Sequence, residues 1–332
     1  MQPLRKVISK LKLRASYGQV GNANLGGRRF AYLSTITDDY ETLNMYKWGL
    51  DSSYGLTGMA EGEFAVQDLT WEIVNKMNLG VELGFLNGMI DLQLDYFDER
   101  RKDIFMPRES VPMTAGFMKQ PWKNFGKVTN QGVEVSLNVN KQFGKDLFVS
   151  LMGTFTYAHN EITEKDEPSA VVGTNRAETG HPVGQLTGYI AEGLFTADDF
   201  EDVSTGKLKE GIPTQSFVGK LRPGDIRYRD VNGDGKVDVF DKSPIGGTKD
   251  PEIVYGFGLN MKYKDLDFGA LFQGIGRSWN ILGSSIIPGA NRGVTGNMFT
   301  NANDRWTVDN PSQNVFYPRL DDGINSLSLI HI

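Results

Sequence analysis

The chain of 332 residues contains no cysteine, so it has no disulfide framework, no thiolate metal site and no cysteine nucleophile. Its three histidines, His159, His181 and His331, leave little for imidazole catalysis or a multi-histidine zinc centre. No apolar run approaches the roughly 18–20 residues that a membrane helix needs, which excludes a helical membrane protein. There is no basic excess either. Lys and Arg number 35 against 41 Asp and Glu, for a net charge of −6, and the cations are dispersed, so no nucleic-acid partner is expected. Met1 to Lys6 carries no apolar stretch of the kind a signal peptide has. What is abundant is glycine, 39 residues, with aromatics at 11% and hydrophobic residues at only 39%. That balance points to a β-rich protein with many turns.

The dominant pattern is period-two alternation in segments of about 9–13 residues, the length of a tilted membrane strand. Leu11, Leu13, Ala15 and Tyr17 alternate with Lys12, Arg14, Ser16 and Gly18. Met77, Leu79, Val81, Leu83 and Phe85 are followed by Asn87-Gly88, a tight-hairpin signal, and by Ile90, Leu92, Leu94 and Tyr96. The same holds for Val133 to Val139, for Leu147 to Tyr157 after a turn at Phe143–Asp146, for Ile253 to Tyr263, and for Leu266 to Phe272 beyond Lys264-Asp265.

Alternation alone does not separate a membrane barrel from a soluble β-sandwich, in which the apolar faces of two sheets meet. Strand length favours the barrel, because globular strands usually run about 5–6 residues. The apolar faces often end in Tyr, Trp or Phe, as at a bilayer surface, while the opposite faces carry charge, Asn and Gly, which suits a wetted lumen. The turns near 87, 145 and 264 are short, whereas 18–72, 98–130, 160–185 and 196–252 read as long polar loops. Outer-membrane barrels alternate short periplasmic turns with long extracellular loops in this way.

Seven segments spread over nearly the whole chain then carry a resemblance: Leu11–Asn22 (LKLRASYGQVGN), Asp68–Glu72 (DLTWE), Asn124–Glu134 (NFGKVTNQGVE), Gly180–Phe195 (GHPVGQLTGYIAEGLF), Gly224–Gly246 (GDIRYRDVNGDGKVDVFDKSPIG), Tyr255–Gly274 (YGFGLNMKYKDLDFGALFQG) and Asp304–Arg319 (DRWTVDNPSQNVFYPR). In order and spacing the sequence resembles the C-terminal part of a SusC/RagA-type TonB-dependent outer-membrane transporter. The resemblance implies an all-β fold: a partial transmembrane antiparallel barrel, about nine or ten strands of a barrel of about 22, with long extracellular loops. It implies residence in the Gram-negative outer membrane and import of oligosaccharides or other large nutrients, including peptides. It also implies a lumen filled by an N-terminal plug, a SusD-like lipoprotein as extracellular lid, and energy from TonB acting on the plug. No catalysis is expected. The contrasting expectation is a secreted, calcium-stabilised β-sandwich that binds carbohydrate.

The ends read as those of an internal fragment. Residues 1–326 are expected to be barrel, with 222–250 an extracellular loop. Leu327–Ile332 breaks the alternation and matches one reading frame of a common sequencing adapter. It is read as a non-native tail, against the alternative of an ordinary apolar terminus.

One stretch carries explicit chemistry. Asp230 to Asp241 fits a twelve-residue calcium loop, with side-chain oxygens from Asp230, Asn232, Asp234 and Asp238 at positions 1, 3, 5 and 9. Gly235 holds the sharp sixth position, the Lys236 carbonyl the seventh, and Asp241 the twelfth, where a longer Glu is usual. Hard oxygen donors suit calcium, as a loop staple without flanking helices. The alternative is an Asx-rich turn whose carboxylates bond their own backbone. Glu61, Glu63, Asp198, Asp199, Glu201 and Asp202 resemble glycosidase pairs only by proximity and are expected to be solvated loop charge. His159 is expected at a strand end and His181 in a structural turn. Trp71, Trp122, Trp279 and Trp306 would stack on sugar rings if exposed in loops, or serve as interface anchors.

Overall fold

A computed structural model describes residues 7–37, 46–48, 54–56, 59–117, 119–215, 219–281 and 300–319. His331 and the tail expected at 327–332 lie outside the described residues, as do 282–299. The described chain forms two compact units.

The first unit, drawn from 1–172, 177–183 and 252–276, is built on one seven-stranded antiparallel sheet. Its strands are β1 (Ile8–Asn22), β2 (Glu72–Phe85), β3 (Ile90–Pro107), β4 (Trp122–Phe143), β5 (Leu147–Glu164), β6 (Ile253–Tyr263) and β7 (Leu266–Gly276). They pair in chain order, β1 to β7. The sheet is a barrel segment and does not close, and seven long strands are described where about nine or ten were expected from pattern.

Register follows from the alternation. Leu13 lies opposite Val81, Val81 opposite Leu94, and Leu94 opposite Val135; the row continues through Phe155 and Tyr255 to Gly274. The neighbouring row runs Ala15, Leu79, Tyr96, Val133, Tyr157 and Ile253. A slip of one residue would turn every one of these side chains to the other face, so seven strands of matched period fix one register. Where the Tyr255–Phe155 row meets Gly274, the Tyr255 ring covers the glycine; an added Cβ there would collide with it. This is the aromatic cover that compensates a glycine in a strand.

The apolar face has no second layer against it among the described residues. Leu13 is 74% exposed, Tyr17 76% and Leu266 73%. Side chains of this size on a long continuous face need an apolar neighbour outside the protein, which is what lipid provides. The sandwich alternative, which needs that face buried against a second sheet, does not describe this fold. From Leu147 to Tyr157, about ten steps of about 3.3 Å along a strand tilted by about 40° span about 25 Å, the height of the apolar band in such barrels.

Two local expectations differ from the structure. The hairpin at Asn87-Gly88 is a four-residue loop, since Phe85 pairs with Ile90, and Leu86, Asn87 and Gly88 all take positive φ (53°, 57° and 83°). The stretch 98–130, read as loop, is largely strand: β3 continues to Pro107 and β4 starts at Trp122. The run Asp98-Glu99-Arg100-Arg101-Lys102 hid it. Above the hydrocarbon both faces are wet, so no apolar alternation is required. Cross-strand pairs take over, with Lys76 Nζ 2.7 Å from Glu99 and Arg101 Nη1 3.1 Å from Glu72.

At the loop end of this unit Asp166 is buried and accepts from Arg108 Nε at 2.8 Å, from the Ser110 hydroxyl at 2.8 and 2.9 Å, and from the Ser110 N–H at 3.2 Å. Burial alone would raise its carboxyl pKa; the Arg108 guanidinium and the Ser110 donors outweigh burial and hold it below the usual carboxylate range. The ionised pair therefore stabilises the knot fully above the unfolded value, about 3.9, and that stability is lost as pH falls through the lower folded value. Hydrogen exchange of 108–112 and 165–167 should stay slow at pH 5 and accelerate below about pH 3, and Asp166→Asn should remove that pH dependence.

Candidate functional site

Two features are the candidates for function: the polar face of the sheet and the loop Asp230–Asp241 in the second unit.

On the polar face β1 supplies Lys10, Lys12 and Arg14. Glu82 of β2 gathers all three, at 2.7 Å from Lys10, 3.2 Å from Lys12 and 3.1 Å from Arg14. Arg14 also reaches over β2 to Asp95 of β3, donating through Nη2 at 2.9 and 2.8 Å, and Gln93 donates to the same carboxylate at 2.9 Å. Arg14 and Asp95 belong to strands that are not neighbours; the residue between them in register is Gly80. An added Cβ at Gly80 would collide with Asp95 Oδ1 and lie 3.0 Å from Arg14 Nη2. Glycine is therefore the residue that lets the ion pair cross the strand.

The second unit, drawn from the described residues of 173–176, 184–251 and 277–319, has its own small cores: Phe195, Phe200, Leu208 and Leu221 in one, Ile226, Tyr228 and Val237 in the other. Asp225, 1% exposed, is held by Arg319 through Nε at 2.9 Å and Nη2 at 2.8 Å and by the Arg222 N–H at 2.8 Å. Trp306 packs on Gly224, whose φ is +87°. Gln215 stands in for a strand, its amide donating to the Ile226 carbonyl at 3.1 Å and accepting from the Tyr228 N–H at 2.9 Å.

The loop Asp230–Asp241 lies beside the second core. Gly235 takes φ +83°, the sharp turn expected at the sixth position, and Gly233 takes +77°. Asp230 accepts from the N–H of Gly233 at 2.7 Å and of Gly235 at 2.8 Å. Asn232 accepts from Asp234 N–H at 2.9 Å, Asp234 from Lys236 N–H at 2.9 Å, and Asp238 from Phe240 N–H at 2.8 Å. Asp241 is fully buried and accepts from Val231 at 2.8 Å, Asn232 at 3.3 Å and Asp238 at 2.7 Å. The five predicted side-chain donors are thus brought into one loop, each turned onto backbone N–H groups. Among the described residues no three acidic or histidine side chains converge on a common point. Burial, with the negative field of Asp238 and Asp241, pushes the Tyr189 phenol above its ordinary value.

The remaining candidates separate by surroundings. Trp306 is buried and Trp279 packs on Gly246 and Gly247. Trp122 sits between Phe105, at 5.1 Å, and the Arg28 guanidinium, 4.1 Å above its ring. Only Trp71 of the four is largely exposed, at 65%, with its ring edge on Gly21. Glu63 pairs with Arg28 and Lys119, Glu201 with Lys207, Asp199 caps Thr196, and Asp202 closes a turn on Ser204 and Thr205. These carboxylates serve local structure. His159 Nδ1 lies 2.5 Å from Glu252 Oε1 at the loop end of β5, and His181 is in a turn whose backbone pairs with Ile162. The cross-strand lattice around Glu82 and the Gly80 crossing were not singled out from sequence; the one available signal was a glycine midway along an otherwise strongly alternating strand.

The profile of the family described as "TonB dependent receptor-like, beta-barrel" matches residues 4–310. The chain is 28% identical over 322 residues to TonB-dependent receptor P26 of Formosa agariphila, covering 94% of this chain and 30% of that protein. It is 29% identical over 280 residues to TonB-dependent receptor SusC of Bacteroides thetaiotaomicron, covering 79% of this chain and 24% of that one. It therefore spans less than a third of the curated relatives it matches. Among solved structures the RagAB peptide importer in its open-open state superposes with a TM-score of 0.66 at 22% identity, over 98% of this chain and 32% of that one, a likeness of fold.

The Gly80 crossing gives a direct structural test. Gly80→Ala should lower unfolding stability by about 1–3 kcal/mol, because the methyl displaces a close-packed ion pair. Gly153→Ala, whose Cβ meets nothing within 4 Å, should stay within about 0.5 kcal/mol. Urea midpoints of the two variants in the same bilayer read the difference.

Proposed function

The chain belongs to the TonB-dependent receptor-like β-barrel family, and on that premise we propose that it supplies part of the wall and the extracellular loops of an outer-membrane importer of oligosaccharides or other large nutrients. The family places the chain in the outer membrane and among receptors that transport rather than catalyse. The observation that carries the reading is the seven-strand ladder: one face apolar and bare, the other more polar, with ion pairs crossing from β1 to β3. Selectivity then comes from shape and hydrogen bonding in loops and lumen, with no reactive group. Energy enters through TonB acting on a plug, and a SusD-like lipoprotein covers the outer mouth. Peptide is the other substrate class, as in the structurally similar RagAB importer. Deleting the gene in its own bacterium, beside a TonB-defective strain, should abolish growth on either an oligosaccharide mixture or a peptide mixture as sole carbon source in both strains. Unchanged growth of the deletion strain on both mixtures would contradict the reading.

The proposal extends to a calcium ion at the Asp230–Asp241 loop, held by Asp230, Asn232, Asp234, Asp238, the Lys236 carbonyl and Asp241. The donor set is all oxygen, and Gly235 takes the positive φ that the sixth position of such a loop requires. The ion has to draw these carboxylates off backbone N–H groups, which sets the affinity at the weak end, a Kd of about 10⁻⁴–10⁻³ M. Calorimetry at millimolar calcium should give binding heat with the receptor and none with its Asp234→Asn variant; no heat in either ends the claim.

A further inference from the structure

The polar face of the sheet is not uniform around the wall. Its rows run across all seven strands, so residues of equal depth can be compared directly. One row reads Lys12, Glu82, Gln93 and Ser136 on β1 to β4. It continues as Thr154, Gly256 and Gln273 on β5 to β7. The row on its loop side reads Arg14, Gly80, Asp95 and Glu134, then Thr156, Val254 and Ile275. Toward the short turns, Lys10, Gly84, Asp91 and Asn138 are followed by Met152, Gly258 and Leu271. In all three rows every charge lies on β1 to β4. On β5 to β7 at this depth the polar face carries hydroxyls, an amide, glycines and apolar side chains; Lys262 and Asp267 face each other only at the terminal hairpin, 4.0 Å apart.

The two sectors also differ in how their groups are engaged. On β1 to β3 the carboxylates of Glu82 and Asp95 already hold Lys10, Lys12 and Arg14, and Asp95 is buried. On β5 to β7 Met152 and Leu271 flank Gly258, where an added Cβ would lie 2.9 Å from Met152 Cγ and 3.5 Å from Leu271 Cδ1. Leu271 is 61% exposed and Ile275 60%.

A surface that a solute moves past must bind it weakly and at many points, because strong charge-assisted bonds have to be broken at every step. A surface that anchors a resident element has the opposite requirement. Resting on the import reading above, we propose that the β5–β7 wall is the side of the lumen along which the solute passes, and that the β1–β4 wall is the side that stays covered by the element filling the lumen. The solute that fits this sector is uncharged. It has hydroxyl or amide groups to exchange hydrogen bonds with Thr154, Thr156 and Gln273, and apolar surface to lie on Met152 and Leu271. A charged solute would lose its hydration there with no counter-charge to replace it.

Gln93 and Gln273 provide the test, being the same residue type on the same row in opposite sectors. In energised cells producing the full-length receptor, single cysteines at Gln93→Cys and Gln273→Cys are reacted with an uncharged, sugar-bearing, membrane-impermeant methanethiosulfonate. Position 273 should label several-fold faster than position 93. Ser136→Cys, on the same row of β4, replaces Gln93→Cys if loss of the amide bond to Asp95 impairs assembly. Equal rates, faster labelling on the β1–β4 side, or no reaction at either position overturns the proposal. Labelling of Phe257→Cys, on the apolar face, as fast as either would overturn instead the barrel reading beneath it.

Discussion

Hydrocarbon offers no hydrogen-bond partner to a peptide group. Every N–H and C=O that enters it must already be paired, and an unpaired one costs several kcal/mol. The rest of this molecule depends on that constraint. It forces the spanning residues into one continuous antiparallel ladder, β1 through β7, and leaves side chains as the only variable. With backbone geometry fixed, each residue chooses between lipid and lumen by parity alone. Leu13, Val81, Leu94, Val135, Phe155 and Tyr255 therefore stand in one row, and Lys12, Glu82, Gln93 and Ser136 in the row behind it. The same constraint explains what happens past the bilayer. Once both faces are in water parity loses its meaning, and β2 and β3 continue on ion pairs such as Lys76–Glu99 and Arg101–Glu72.

This accounts for which parts of the structure were legible in the sequence. The spanning strands were, because lipid on one side and water on the other write a period of two into residue type. Short turns at 144–146 and 264–265 were visible for the same reason, as interruptions of the period. The continuation of β3 through Asp98 to Lys102 was not, since a strand wet on both faces has no apolar signature and its charges resemble a loop. The loop Asp230–Asp241 was visible as a string of carboxylates and glycines at fixed spacing, and Gly235 does take the turn its position requires. The engagement of those carboxylates with backbone N–H groups is the Asx-rich turn that the spacing offered as the alternative to calcium; which N–H each takes was not visible, because a backbone N–H carries no residue identity. Nor was the part played by Asp225: its ion pair with Arg319 joins residues far apart in sequence, and only the folded chain brings them together.

The polar side of the sheet answers to a different demand. It has no bulk apolar phase to satisfy, so its composition is free to vary from strand to strand, and it does. Arg14 reaches Asp95 across Gly80 because the intervening strand gives up its side chain, and Met152 and Leu271 both border the space that Gly258 leaves open. Glycine at position 80 is thus a means of linking strands that are not neighbours, and at 258 it leaves room between apolar side chains. The second unit solves a third problem, folding without a large core. It does so with two small apolar clusters, a buried ion pair and side-chain amides that replace missing strand partners.

The most direct test of the central claim is the environment of consecutive residues along one strand. Nitroxide labels placed singly from Val133 to Asn140 in the receptor, reconstituted in bilayers, report collision with apolar oxygen and with a polar nickel complex. Oxygen access should peak at 133, 135, 137 and 139 and nickel access at the positions between them. If the odd positions were instead shielded from both reagents, they would be packed against protein, and the account of this sheet as a lipid-facing wall would be contradicted.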